Sequence, residues 1–117
     1  MRLSFLLVAI VFLGACSGEV KLPDAPKDLI PRDSMVVLLK DMTVLESAVQ
    51  NRYKNVTVFY KVMTSSGEAY LAKRKITKDR YERSFDYYII HDTVLQGMCT
   101  QIMDSLTREG ERLQNER

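Results

Sequence analysis

The chain has 117 residues, 46% of them hydrophobic and 27% charged, with 17 basic side chains against 15 acidic ones. That length supports one domain with a modest core, and the near balance of charge argues against a nucleic-acid partner, which requires a clustered and strongly basic surface. Two cysteines, one histidine and five glycines leave little from which to build a metal site, a thiol catalyst or a phosphate-cradling loop.

The N-terminus reads as a secretory signal. Arg2 supplies a positive start, and Leu3 through Leu13, broken only by Ser4, form an apolar run. As a helix this run spans roughly 16 Å, about half of a hydrocarbon core, which is too short for a lasting transmembrane span. Gly14 and Ala15 are small enough to enter a protease as extended backbone, and Cys16 follows at once. Leu13-Gly14-Ala15-Cys16 resembles a lipobox, the pattern of bacterial lipoproteins. The resemblance implies a diacylglycerol thioether on Cys16, cleavage after Ala15 and acylation of the new amine, with the thiolate as nucleophile. Each buried methylene contributes about 0.8 kcal/mol and one acyl chain holds only marginally, so two or three chains on Cys16 would hold a membrane durably. Ser17 stands where retained lipoproteins carry aspartate, which implies an outer-membrane location facing the periplasm or the cell surface.

Residues 1–15 are therefore expected to leave as a signal peptide. Loss of Arg2 brings 17 basic residues to 16 against 15 acidic, a net charge near +1. With Cys16 lipidated, Cys99 has no partner for an internal disulfide. Residues 16–31 hold Cys16 and a tether containing Pro23, Pro26 and Pro31. Prolines bias such a segment to extended conformations, and fully stretched it reaches roughly 45–50 Å.

A helical domain is expected over 32–108. From Arg32 to Gln50, Met35, Leu38, Met42, Leu45 and Val49 recur in alternating three- and four-residue steps, a helical face widened by Leu39 and Ala48. Residues 55–74 are ambiguous. Val56-Thr57-Val58-Phe59-Tyr60 has strand propensity and Gly67 weakens a helix by about 1 kcal/mol relative to alanine. Phe59, Val62, Met63, Ser66 and Tyr70 nevertheless share a helical seam, and no second strand is evident. The segment reads as helix, with Ser65-Ser66-Gly67 as the place for an interruption. Thr77 suits an N-cap for a third helix with the face Tyr81, Ser84, Phe85 and Tyr88. His91-Asp92 marks a break, with Asp92 as the cap of a fourth helix burying Leu95, Met98, Cys99, Ile102, Met103 and Leu106. Residues 109–117 read as a charged, fraying tail. The predicted fold is all-α, a small up-and-down bundle of three to four helices behind a lipidated N-terminus and a flexible tether.

Two segments carry a family resemblance. Leu29-Ile30-Pro31-Arg32-Asp33-Ser34-Met35-Val36-Val37-Leu38-Leu39-Lys40-Asp41-Met42, followed by Glu46 and Ala48, is one. Ile76-Thr77 with Tyr81, Ser84, Phe85, Asp86, Tyr87 and Tyr88 is the other. Over about Leu29 to Leu106 the chain resembles small Bacteroidetes lipoproteins that bear a domain of unknown function, DUF4296. The resemblance implies a location and a helical fold, and it transfers no catalytic residue. The chain departs from these relatives at Lys75, where they often carry glycine, and at Ile90-His91-Asp92, where they often have a His-Pro break.

No catalytic constellation stands out. His91 and Cys99 are too few ligands for zinc, which wants three or four, and a Cys-His nucleophile is set against the expected burial of Cys99 on an apolar face. The expectation is a non-enzyme with no metal and no cofactor beyond the lipid on Cys16. Lys73, Arg74, Lys75, Lys78, Arg80 and Arg83 form the densest basic cluster, fit for lipid headgroups or an acidic partner, or else a solvated elbow. Tyr87, off the stripe of Tyr81, Phe85 and Tyr88, is the tyrosine best placed to meet a partner, or else surface filler. The expected role is a lipid-anchored accessory module for an envelope protein. The alternatives are a periplasmic holdase, since Ile76–Tyr81 distantly resembles helical segments of periplasmic prolyl isomerase chaperones, and a headgroup-binding protein.

Overall fold

The computed structural model describes Gly18 and residues 21–117. Four helices follow in order: α1 (Arg32–Arg52), α2 (Val56–Lys73), α3 (Lys78–Ile90) and α4 (Asp92–Asn115). Among the described residues there is no strand, and the fold is a small all-α bundle.

Local chemistry explains each start and stop. The Pro31 carbonyl accepts from Met35 N–H at 2.9 Å, while the missing proline N–H is not needed at a helix start. Asp33 in the first turn and Arg52 in the last complement the helix dipole of α1. Asn55 caps α2, its side chain accepting from Val58 N–H at 3.2 Å. Thr77 caps α3 by accepting from Arg80 N–H at 3.2 Å, as expected. His91 alone separates α3 from α4. Asp92, expected as the cap of α4, is instead its first residue and makes no capping bond.

Helix α2 runs unbroken through Ser65-Ser66-Gly67, because Gly67 and Leu71 are buried and that packing outweighs the weak propensity. It closes with Ile76 N–H donating to Leu71 O and Lys75 N–H to Ala72 O, both at 3.0 Å. This motif places Lys75 at φ 57°, the left-handed conformation that glycine adopts freely and other residues reach at roughly 1–2 kcal/mol. Lys75→Gly is expected to raise stability by about 0.5–1 kcal/mol, after the greater freedom of glycine in the unfolded chain is subtracted. Thermal unfolding followed by circular dichroism checks it; an unchanged or lower midpoint would count against the strain.

The core is built from Ile30, Met35, Val36, Leu38, Leu71, Tyr88, Met98 and Ile102. Helix α1 is its centre. On one side α2 returns antiparallel, with Met42 beside Gly67 and Asp41 beside Tyr70. On another side lies α4, where Arg32 donates to Gln101 at 2.9 Å and Lys40 to Glu109 at 2.6 Å. Both pairs are separated by 69 residues, so α1 and α4 advance together and run parallel. The expected up-and-down order would set a fourth helix antiparallel to the first; the bundle is all-α but not up-and-down throughout. Val36, outside the expected face, is buried and Ala48 is exposed, because α1 packs on two neighbours rather than along one stripe.

Two boundaries and one buried face differ from the sequence reading. Residues 109–117, expected as a fraying tail, are helical to Asn115, supported by the Lys40–Glu109 pair. Cys99 and Met103 are exposed, since α4 turns Met98 and Ile102 inward and those two lie past the edge of the buried face. The last residues of the tether belong to the fold, with Ile30 only 1% exposed.

Candidate functional site

Cys16 and Ala15, the expected sites of lipid attachment and cleavage, lie outside the described residues. The remaining candidates are distributed over three features: the end of the tether, the basic elbow and a groove beside α2.

Helix α3 grips the tether. Ile30 N–H donates to Ser84 Oγ at 3.0 Å, and Tyr88 Oη donates to Ile30 O at 2.7 Å. Ser84 and Tyr88 stand one turn apart on α3, so together they satisfy both backbone groups of one buried residue. Just outside, Arg83 pairs with the Asp28 carboxylate at 2.6 Å and Arg80 Nε donates to Asp28 O at 2.7 Å. The hydrogen bond from Arg83 holds the Asp28 carboxyl below its usual value, with partial desolvation acting the other way.

The basic elbow is consequently not one surface. Arg80 and Arg83 are committed to Asp28, and Arg74 is committed to Asp41 at 2.8 Å while lying 4.8 Å over the Tyr70 ring. Lys78 lies 3.8 Å from Glu82. Lys73 and Lys75 make no ion pair among the described residues. A headgroup site of six converging cations is therefore not assembled.

Tyr87, expected to stand clear of the core, is half-buried. Its ring lies 4.1 Å from the His91 ring, and His91 Nδ1 donates to Tyr87 O at 2.6 Å. A carbonyl only accepts, so Nδ1 carries the proton. Tyr87 also faces Pro23 and Pro26 across a cleft of about 370 Å³. Its position thus sets the α3–α4 corner opposite the proline segment.

Burial, followed by the hydrogen bond donated to Asp41 at 2.6 Å and the charge of that carboxylate, holds Tyr70 far above the ordinary phenol range. Burial also raises Tyr81 and Tyr88. In the unfolded chain these phenols ionise near pH 10. The folded state then binds more protons, so their stabilisation is full below about pH 10 and is lost as pH rises toward the folded values. Denaturant midpoints are expected to hold steady to about pH 9.5 and to fall above it, with a shallower fall in Tyr70→Phe. An equal slope in that variant would remove Tyr70 from the effect.

The groove was not anticipated. Between α1, α2 and the start of α3 lies a hollow of about 400 Å³, floored by Met42, Phe59, Met63, Gly67, Leu71 and Tyr81. A second hollow of about 310 Å³ continues it past Phe59 and Tyr60 to Gln50 and Val56. Tyr60 is 65% exposed and Val56 67%. Gly67 sits in the floor, where an added Cβ would lie 3.8 Å from Met42 Cε, ordinary van der Waals distance. Gly67→Ala is therefore expected to raise stability by about 1 kcal/mol through helix propensity, measured as a higher thermal midpoint. A lower midpoint would mean that the floor does not tolerate the methyl group.

Among the described residues, no three His, Cys, Asp or Glu side chains are placed to hold a metal ion. Nor is any described helix long and apolar enough to cross a membrane.

The chain matches DUF4296, a domain of unknown function, over residues 26–112. It belongs to the DUF4296 family. The match begins at Pro26, whose carbonyl accepts from Leu29 N–H at 3.1 Å, so the DUF4296 domain includes the gripped end of the tether and the whole bundle down to Arg112. No curated protein and no solved structure matches the chain. In the sequence Asp28–Ile30 read as the end of the tether, with no role in the core. The available signal was Ser84 and Tyr88 on an apolar stripe, two polar groups that needed partners once buried.

Proposed function

We propose that this DUF4296 chain is a lipid-anchored cell-envelope protein, held at Cys16, whose helical domain is a non-enzymatic module that docks a protein partner. The anchor rests on Leu13-Gly14-Ala15-Cys16 and on the resemblance to small Bacteroidetes lipoproteins. The single observation behind docking is the open groove along α2, where apolar side chains including Tyr60 and Val56 remain in water. Contiguous apolar surface of this kind marks interaction sites. The outer membrane, facing the periplasm or the cell surface, is the proposed location.

In-cell cross-linking of the lipidated chain, followed by mass spectrometry, tests the role. One dominant partner in fixed ratio is the expected result, and nothing above background would sink it. A second reading, a chaperone-like holdase, draws on Met42 and Met63 in the groove, since methionine adapts to varied partners. A broad set of unfolded envelope proteins in the same experiment would select it. The anchor is tested separately: Cys16→Ser is expected to move the protein from the membrane fraction to the soluble fraction, and retention there would refute lipidation.

A further inference from the structure

We infer that the groove takes an amphipathic helix of a partner protein whose apolar face is flanked by lysine or arginine. This rests on the docking reading above and specifies the chemistry of the occupant.

Shape points to a helix. From Tyr60 to Leu71 the groove follows three turns of α2, roughly 16 Å, a length that seats three turns of a partner helix lying alongside. Gly67 adds depth in the middle of that floor. It weakens α2, yet Met42 leaves ordinary room for a methyl group, so internal packing does not require the glycine. A side chain passing close over the floor would.

Charge selects the partner. The rim carries Glu46 from α1, Glu68 from α2 and Glu82 from α3, one carboxylate from each wall. Lys78 is the one basic residue lining this hollow, and it lies 3.8 Å from Glu82. Glu46 and Glu68 form no ion pair among the described residues. An apolar floor between unpaired carboxylates attracts cationic flanks and repels acidic ones, so the rim sets specificity while the floor supplies the burial.

The test uses the full lipidated chain in neutral detergent and fluorescence anisotropy, with detergent alone as the blank. The probe is a labelled synthetic helix of about 14 residues, leucine on one face and lysine on the other. Its counterpart carries glutamate in place of lysine. The lysine helix is expected to bind saturably and the glutamate helix not to bind. Glu46→Gln with Glu68→Gln should weaken the lysine helix about tenfold and flatten its salt dependence. Gly67→Leu, which fills the floor, should weaken it at least as much; the glutamine pair keeps the test decisive if the leucine variant fails to fold. Equal binding of both helices, or an affinity unmoved by the glutamine pair, overturns the proposal. So does a dimer that Gly67→Leu converts to monomer, because a second copy would then be the occupant. A dominant partner found in cells alongside a failed peptide test leaves docking intact and removes only this occupant.

Discussion

Ile30→Ala is expected to lower the unfolding free energy by about 2–5 kcal/mol. Ile30 stands between Leu29 and Pro31 in a proline-bearing segment that reads as tether, and a substitution in a solvated tether changes stability by less than about 0.5 kcal/mol. The structure assigns it otherwise. Ile30 is 1% exposed and packs in the same cluster as Met35, Leu38, Tyr88 and Met98. Truncation removes buried methylenes and leaves a cavity at the meeting point of α1, α3 and α4, where three elements restrict collapse. Against a typical total of about 5–15 kcal/mol the loss is large. Denaturant unfolding followed by circular dichroism measures it. A loss under about 0.5 kcal/mol would return Ile30 to the tether.

The second large effect is at the two side chains that hold the Ile30 backbone. Tyr88→Phe removes the donor to Ile30 O and keeps the ring; Ser84→Ala removes the acceptor of Ile30 N–H. Each leaves a buried backbone group unpaired, at about 1–3 kcal/mol. The double variant should lose less than the sum, because release of Ile30 by the first change lets water reach both groups. Strict additivity would show that Ile30 stays docked without either bond. Beyond stability, the grip makes the residues from Pro26 onward part of the folded domain, which is where the DUF4296 match begins.

Much of the fold was legible residue by residue. Pro31 and Thr77 stand at helix starts, His91 stands at the break, and Met35, Leu38 and Val49 lie on the buried face expected of them. The resemblance to DUF4296 is also borne out. The α2 segment was ambiguous because Val56–Tyr60 carry strand propensity while Asn55 supplies a cap one residue earlier. The cap and the burial of Gly67 and Leu71 decide for helix. On α4, Met98 and Ile102 were read correctly, whereas Cys99 and Met103 were drawn into a face wider than the one that packs.

The candidate site was far less legible. A run of lysines and arginines shows local charge density but not the partner of each guanidinium. Arg74, Arg80 and Arg83 find theirs at Asp41 and Asp28, 33 to 55 residues away. The groove, likewise, needs three helices and exists on none of them singly.

By itself, then, the sequence determined the starts of α1 and α3, the break at His91 and most of the buried face of α1. Those properties depend on φ preference, capping and apolar period, which act within one or two helical turns. Only the tertiary structure decided that α4 runs parallel to α1, that Ile30 is core, that the basic cluster is divided among internal partners, and that an acid-rimmed groove opens along α2. Each of these depends on groups brought together across the chain, such as Ile30 with Ser84 and Lys40 with Glu109. Burial and ion pairing are settled by whatever stands opposite a side chain after the helices pack.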